Sequence, residues 1–570
     1  MHLFRSMCTA VLFFALLPST ASGQWSTDPN VNTPVCTVSD ASNNQTLQIC
    51  SDGSGGAIIV WGDKRKEKTN TGGDIFAQRL DAQGVPQWTA NGVMICDTTG
   101  EQNMPNIMSD NAGGAYIAWV DARTGQYTGN IYMQHINASG EKLWERQGRQ
   151  LTTGNAWFNP SITTDGAGGA FLAYRYGVTP AGIYAQRVSS DGTLQYAGNG
   201  VAVSPSGYYD NPKAVADDSG GVFIAWIYTR PDGAWNGYIQ RLTASGTKRY
   251  TTNGVPFRVQ AASQGRTQLV SMGRGEVMAA WYDERAVTAV RVIYVQRFSW
   301  NGTPLLAAGG KPVTDGTQDA YYLAMCEDGV GGLFIAYMYY NTLRAIGLNG
   351  QGLARWDSSA GTVLCNAARD RSLGGIVLAQ TGRAVVSWYD YRDYTYDVPD
   401  ADIYAQSIDT LGQAGWTTDG VPVGTAPRYQ FLPVMTPSVN GKVILAWWDD
   451  RSGPPTYSLY HVYAQRIDAQ GGLTGISPEV PLPDGVALMQ NYPNPFNPST
   501  EIRYRVGTGG AVVLSVFDLM GREVARLVEE QKDAGEYAVR FDGGGLASGV
   551  YFCRLQSGGV AQSMRMLLVR

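Results

Sequence analysis

Trp61-Gly62-Asp63-Lys64-Arg65 returns four more times along the chain: as Trp119-Val120-Asp121-Ala122-Arg123, Trp281-Tyr282-Asp283-Glu284-Arg285, Trp388-Tyr389-Asp390-Tyr391-Arg392 and Trp447-Trp448-Asp449-Asp450-Arg451. Each copy ends an apolar run, such as Ala57-Ile58-Ile59-Val60 before Trp61. Three further units end the same run on Tyr174, Trp226 and Tyr337 and lack the Asp-x-Arg. The eight units recur about every 55 residues between about Asn32 and Gly472. A repeat of that length built of short strands predicts a β-propeller.

Spacing defines the unit better than residue identity does. From the turn residues Asp52, Asp110, Asp165, Asp217 and Asp328 to the aromatic is nine residues. From the glutamine of the third segment to the next turn glycine (Gln78 to Gly84, Gln240 to Gly246, Gln465 to Gly471) is six. Between the aromatic and that glutamine position, where the sixth unit has Ile346, the distance instead runs 17, 15, 12, 14, 15, 9, 18 and 18. In a four-stranded blade the first-to-second and third-to-fourth turns share one face, and the other loops share the opposite one. One face is therefore uniform and the other carries the length variation, where binding usually sits.

The second segments are continuously apolar, as in Val222-Phe223-Ile224-Ala225-Trp226, which predicts burial on both sides. The eighth unit stops near Gly472 without a fourth strand, and Asn32-Thr33-Pro34-Val35-Cys36 resembles Asn91-Gly92-Val93-Met94-Ile95-Cys96. The N-terminal strand is expected to complete the last blade and remove the open edges. The reading is an all-β chain with eight blades, seven being the alternative, over residues 24–475.

Composition bounds the function. The 570 residues contain 70 glycines, 16% charged residues and a net charge of −5. That describes a packed, turn-rich β protein and argues against nucleic-acid binding, which needs a basic face. Arg5, the apolar stretch from Ala10 to Leu17, and Ala21-Ser22-Gly23 read as a signal peptide over residues 1–23. No later stretch is long and apolar enough for a membrane helix. Cys36, Cys96 and Cys365 occupy one repeat position and Cys50 and Cys326 another. Equivalent positions in different blades lie far apart, so free thiols are expected, with Cys36–Cys50 the one close pairing open.

After Gly475 the composition shifts. Residues 476–488 form a proline-rich linker, and about seven short strands follow over residues 489–570, which predicts a small β-sandwich. Asn491-Tyr492-Pro493-Asn494-Pro495-Phe496-Asn497-Pro498, then Val516-Phe517-Asp518-Leu519-Met520-Gly521-Arg522-Glu523-Val524, then Leu546-Ala547-Ser548-Gly549-Val550-Tyr551-Phe552 carry a resemblance. This region is similar to the Ig-like C-terminal sorting domain of type IX secretion substrates of the Bacteroidetes–Chlorobi group. The resemblance implies export, contact with the type IX machinery through this domain, and a secreted or outer-surface location. It says nothing about what the rest of the chain does.

Candidate chemistry is sparse. Beyond the leader the only histidines are His135 and His461, too few for a histidine zinc site or a Ser-His-Asp triad. No cofactor and no metal is expected. The Asp-x-Arg pairs, Asp63 with Arg65, Asp121 with Arg123, Asp283 with Arg285, Asp390 with Arg392 and Asp449 with Arg451, open the variable face. They read either as ligand contacts, since guanidinium forks match carboxylates, or as scaffold in which each Asp caps its loop and each Arg pairs with an Asp. Fivefold recurrence favours the scaffold. Three functions follow: a module binding polysaccharide or protein, a glycan hydrolase using carboxylates of the variable face, or a structural adhesion module.

Overall fold

The computed structural model describes residues 25–38, 46–65, 73–123, 129–154, 156–177, 181–204, 207–258, 263–285, 290–356, 361–395, 400–452, 460–474, 487–488, 491, 496–506, 509–518, 521–533, 535–558 and 560–568. The signal-peptide segment and residues 476–486 of the linker read from the sequence lie outside them, whereas Ala487 and Leu488, read as the end of that linker, form a short strand paired with Tyr504 and Arg505. The chain divides into two compact units, Met1–Gly475 and Ile476–Arg570. Among the described residues no helix is long and apolar enough to cross a membrane.

The first unit is propeller-like. Among the described residues there are ten sheets, and the eight that precede Gly475 are four-stranded and antiparallel. The first comprises Leu47–Ser51, Ala57–Asp63, Asp74–Leu80 and Val93–Cys96, hydrogen-bonded in chain order. Six more repeat that order. The eighth takes Gln430–Pro437, Val443–Asp449 and His461–Ile467, and its fourth strand is Thr33–Cys36 from the other end of the chain. Thr33 lies opposite Ala464 and Cys36 opposite Val462. First strands pack on first strands of the neighbouring sheets in order, and Gln430–Pro437 packs on Leu47–Ser51, so the succession of neighbours returns to its start.

The apolar second strands explain this stacking. Ala57–Asp63 is buried at all seven positions. Its alternate residues serve opposite neighbours: Ile59 and Trp61 join a core with Val35, Cys36 and Trp448 of the eighth sheet. Ile58 and Val60 join one with Ile117 and Trp119 of the second sheet. A strand with a sheet on each side has no polar face, hence the unbroken apolar run.

The invariant spacings are hydrogen-bond devices. Asp52 Oδ1 accepts from Ser54 N at 2.8 Å and Gly56 N at 2.7 Å, while Arg79 donates to Oδ2 at 3.0 Å. Asp165 and Asp217 are capped alike by Arg187 and Arg241, and Asp110 meets His135 at 2.9 Å. Gln78 Nε2 donates to Thr89 O at 2.9 Å and its Oε1 accepts from Trp88 N at 3.0 Å. That brace holds Trp88 over Gly140 of the next sheet, where φ is +85° and a Cβ would lie 2.9 Å from the indole. The same contact circles the unit: Trp25 on Gly84, Trp144 on Gly192, Tyr196 on Gly246, Tyr250 on Gly302, Leu306 on Gly352, Trp356 on Gly412 and Trp416 on Gly471. Trp25 fills the place that the eighth sheet's own hairpin would have filled, and Gln465 braces this segment through Ser26 O at 2.9 Å.

The second unit has two sheets around one core. Ala487–Leu488, Ser499–Val506 and Gly535–Asp542 form one; Glu523–Lys532, Gly510–Phe517, Gly549–Ser557 and Val560–Leu568 form the other. Ile502, Tyr504 and Phe541 of the first meet Leu514, Val516, Leu555 and Met566 of the second.

Trp25 is 2% exposed and Trp300 56%. Trp25→Ala is expected to lower unfolding stability by about 3 kcal/mol, while Trp300→Ala changes it by less than about 0.5 kcal/mol. Urea denaturation of the two variants measures the difference, and equal midpoints would contradict closure through the N-terminal segment.

Candidate functional site

The five Asp-x-Arg pairs adopt one geometry. The buried indole of Trp61, Trp119, Trp281, Trp388 or Trp447 donates to the Asp carboxylate two residues on at 2.9–3.2 Å. The backbone N–H of the Arg donates to the same carboxylate at 2.8–3.1 Å. The Arg65, Arg123, Arg285, Arg392 and Arg451 guanidiniums fold back onto Asp63, Asp121, Asp283, Asp390 and Asp449. Each also lies 3.5–4.0 Å over a third-strand ring, from Phe76 to Tyr463, and donates at 2.8–3.1 Å to a carbonyl of the turn before the fourth strand. In the eighth sheet that carbonyl is Val31 O of the N-terminal segment.

The chemistry of this latch is inward. All five carboxylates are 0% exposed, and the arginines 13–19%. The oxygens are engaged by indole, amide and guanidinium. In the third sheet the Tyr174 hydroxyl reaches the turn carbonyl itself, donating to Asn199 O at 2.7 Å. The sulfurs at the shared cysteine position accept from the next sheet's latch: Cys36 from Arg65 at 3.0 Å, Cys96 from Arg123 and Cys365 from Arg392, both at 3.5 Å. All six cysteines from Cys36 onward are free, and burial pushes the Cys96 thiol up to about 11.

Most variable loops, residues 66–72, 124–128, 178–180, 286–289, 396–399 and 453–459, lie outside the described residues. Residues 230–234 of the fourth sheet are described, and beside them a cleft of about 430 Å³ opens between the fourth and fifth sheets. Trp235, 44% exposed, starts the third strand there, and Lys213, Arg266 and Tyr282 complete the lining that matters. A neighbouring cavity of about 330 Å³ shares Arg266 and Tyr282 and adds Arg291, Tyr321 and Tyr322. Both cavities are lined in part by bulge residues. Met104, Arg266, Tyr322 and Leu432 sit at left-handed φ of 45–52°, where the pairing of first and second strands slips. The extra residue at a bulge is turned away from the ladder, and non-glycine residues in this region carry strain.

A second feature lies in the seventh sheet. Asp402 begins the third strand directly opposite the latch Asp390. It is 4% exposed, and Oδ1 of both Asp400 and Asp402 is buried without a hydrogen-bond partner among the described residues. Burial first, then the charges of Asp400, Asp393 and Asp390, push the Asp402 carboxyl up to about 8, against the opposing pull of Arg392. Burial raises Asp400 to about 6. A carboxyl protonated near neutral pH is a competent proton donor. Among the described residues no three acidic, cysteine or histidine side chains converge as metal ligands. Sequence reasoning did not single out Asp402, Lys213, Trp235 or Arg266. Only the Asp at the register position facing the latch was legible as a signal.

Asp121→Asn is expected to cost about 2 kcal/mol of stability, below the usual penalty for a broken buried pair because Arg123 keeps some solvent; Arg230→Ala, which removes the exposed pair with Asp232, costs less than about 0.5 kcal/mol. Asp402 keeps its proton in the folded chain to about pH 8, whereas an unfolded carboxyl loses it near about pH 4. Stability therefore falls as pH rises through that window, by up to about 1.4 kcal/mol per pH unit. Melting curves across the window should show a shallower slope in Asp402→Asn; an identical slope would refute the protonated state.

No curated protein matches the chain. Solved structures similar to it include the BP39L lectin of Burkholderia pseudomallei, with 7% identity and a TM-score of 0.43 over 68% of this chain and 100% of that one. Another is prolyl oligopeptidase B of Galerina marginata, with 11% identity and a TM-score of 0.40 over 73% and 57%. A third is an α-L-arabinanase of Penicillium chrysogenum, with 12% identity and a TM-score of 0.32 over 62% and 92%. Residues 490–570 match the secretion system C-terminal sorting domain. The C-terminal region is thus a type IX secretion sorting domain, and the protein is exported to the cell surface or the medium.

Proposed function

We propose that this exported protein is an eight-bladed β-propeller that binds glycan at its variable-loop end. The observation that carries the reading is the cleft between the fourth and fifth sheets, with the exposed Trp235 and the ring of Tyr282 on its walls. Flat aromatic faces give a large contact area at low entropic cost and suit the C–H faces of pyranose rings. The volume falls within the about 300–1,000 Å³ of small-ligand sites. A protein ligand would call instead for a larger apolar patch. The ten latch residues hold the loop bases, and the unequal loops beside them set selectivity.

The two-sheet C-terminal unit fits an Ig-like sorting domain over residues 489–570. It follows a linker that ends before the strand Ala487–Leu488, with residues 24–475 as the propeller and 1–23 as the signal peptide. A second reading, a glycan hydrolase, is favoured by one feature alone: the raised carboxyls of Asp400 and Asp402 at the same end of the seventh sheet.

A glycan array with released-sugar detection on the secreted protein tests both readings. Binding without turnover, weakened at least about tenfold (about 1.4 kcal/mol) by Trp235→Ala, is the expected result. Turnover abolished by Asp402→Asn would make the hydrolase the better account. Removing residues 486–570 should leave the protein folded in the periplasm; its delivery to the surface would contradict the role given to that domain.

A further inference from the structure

We infer that the cleft between the fourth and fifth sheets selects an acidic oligosaccharide, whose anionic group sits between Lys213 and Arg266. The inference rests on the glycan-binding reading and adds the ligand's charge.

Lys213 lies on the first strand of the fourth sheet, opposite Ala225. Arg266 lies on the first strand of the fifth, at the bulge between Gly265 and Gln268. Both side chains line the same cleft. Both are exposed to it. Among the described residues neither is ion-paired, in a protein whose arginines otherwise meet Asp carboxylates in nearly every sheet. Two cations held side by side repel. Desolvation of its amine by the cleft walls, then the charge of Arg266, lowers the pKa of Lys213. An anion between them relieves both effects. Arg291 nearby is already neutralised, paired with Asp319 through two guanidinium nitrogens, so among the described residues lining the two cavities the cations without an ion pair are Lys213 and Arg266.

The surroundings favour a sugar acid over a bare anion. Trp235 and Tyr282 line the cleft, and the Arg266 guanidinium stacks 4.7 Å from the Tyr322 ring centroid. Arg266 is also held at φ 45°. That conformation, shared with Met104, Tyr322 and Leu432 at the same bulge, leaves the side chain outside the strand ladder. Gly265 beside it cannot carry a side chain, since a Cβ would lie 2.5 Å from the Tyr282 ring. The bulge thus sets a cation over an aromatic wall.

The strain supplies a discriminating variant. Arg266→Gly removes the cation and relaxes the backbone, so it should melt at the same temperature as the parent or higher. Calorimetric titration of the full-length secreted protein would use trigalacturonate, a sulfated trisaccharide and methyl-esterified trigalacturonate. Binding of at least one anionic trimer, weakening as salt rises, with at least about tenfold loss in Arg266→Gly and in Lys213→Met and weaker binding of the ester, is the expected result. Equal affinity for the ester, or unchanged affinity in both variants, would overturn the inference. Neutral glycans bound through Trp235 with no anionic trimer bound would overturn it too and leave glycan binding standing. Absence of any glycan binding would overturn both.

Discussion

Every second strand in the first unit needs a sheet on each side. Its alternate side chains are apolar in both directions, as Ile58 and Ile59 show by joining different cores. A linear stack would satisfy the inner sheets and leave one apolar flank bare at each end. The return of the N-terminal segment removes both ends at once. Thr33–Cys36 adds the missing strand, Trp25 the missing hairpin contact, and Val31 the carbonyl that the last latch requires. Three devices found within single units elsewhere are here supplied across the whole length of the chain.

The two faces follow from this arrangement. On one, Arg79, Arg187 and Arg241 cap the turn of their own sheet and also donate to a carbonyl of the next, at 3.1, 3.3 and 3.1 Å. Such a cross-sheet belt tolerates no change in hairpin length, which is why the six-residue and nine-residue spacings are fixed. On the other face the latch ends the second strand, and the length of the segment that follows differs from unit to unit. Length is free to vary there, and the sheets differ accordingly in what they present beside the cleft between the fourth and fifth.

The repeated parts were legible in the sequence because each repeated residue answers to a repeated hydrogen bond. Asp52 and Gln78 are examples, and the resemblance of Asn32–Cys36 to Asn91–Cys96 was enough to place the last strand. A large apolar residue ten positions after the glutamine position, aromatic in six units and Leu306 in the fifth, was regular through the seventh unit. Its eighth copy is Trp25, some 440 residues from Gln465, and a register kept along the chain does not reach that far. The site was not legible for the opposite reason. Lys213, Trp235 and Arg266 sit in different strands of two units, and equivalent positions carry other residue types, such as Met104, Tyr322 and Leu432 at the bulge that holds Arg266, so no pattern announces them. The Asp-x-Arg motif stood out through repetition, yet its carboxylates are wholly enclosed.

Closure by the first strand also sets an order of events. Thr33–Cys36 pairs with Val462–Ala464, a contact between nearly the earliest and nearly the latest parts of the unit to be made. Pairing across such a separation is intrinsically slow to form. Seven sheets can assemble from neighbouring residues while the eighth waits, with the edge of His461–Ile467 and the indole of Trp25 still in solvent. The ring therefore stays open until the chain has been made as far as Ile467, and the strand that seals it is the last to commit.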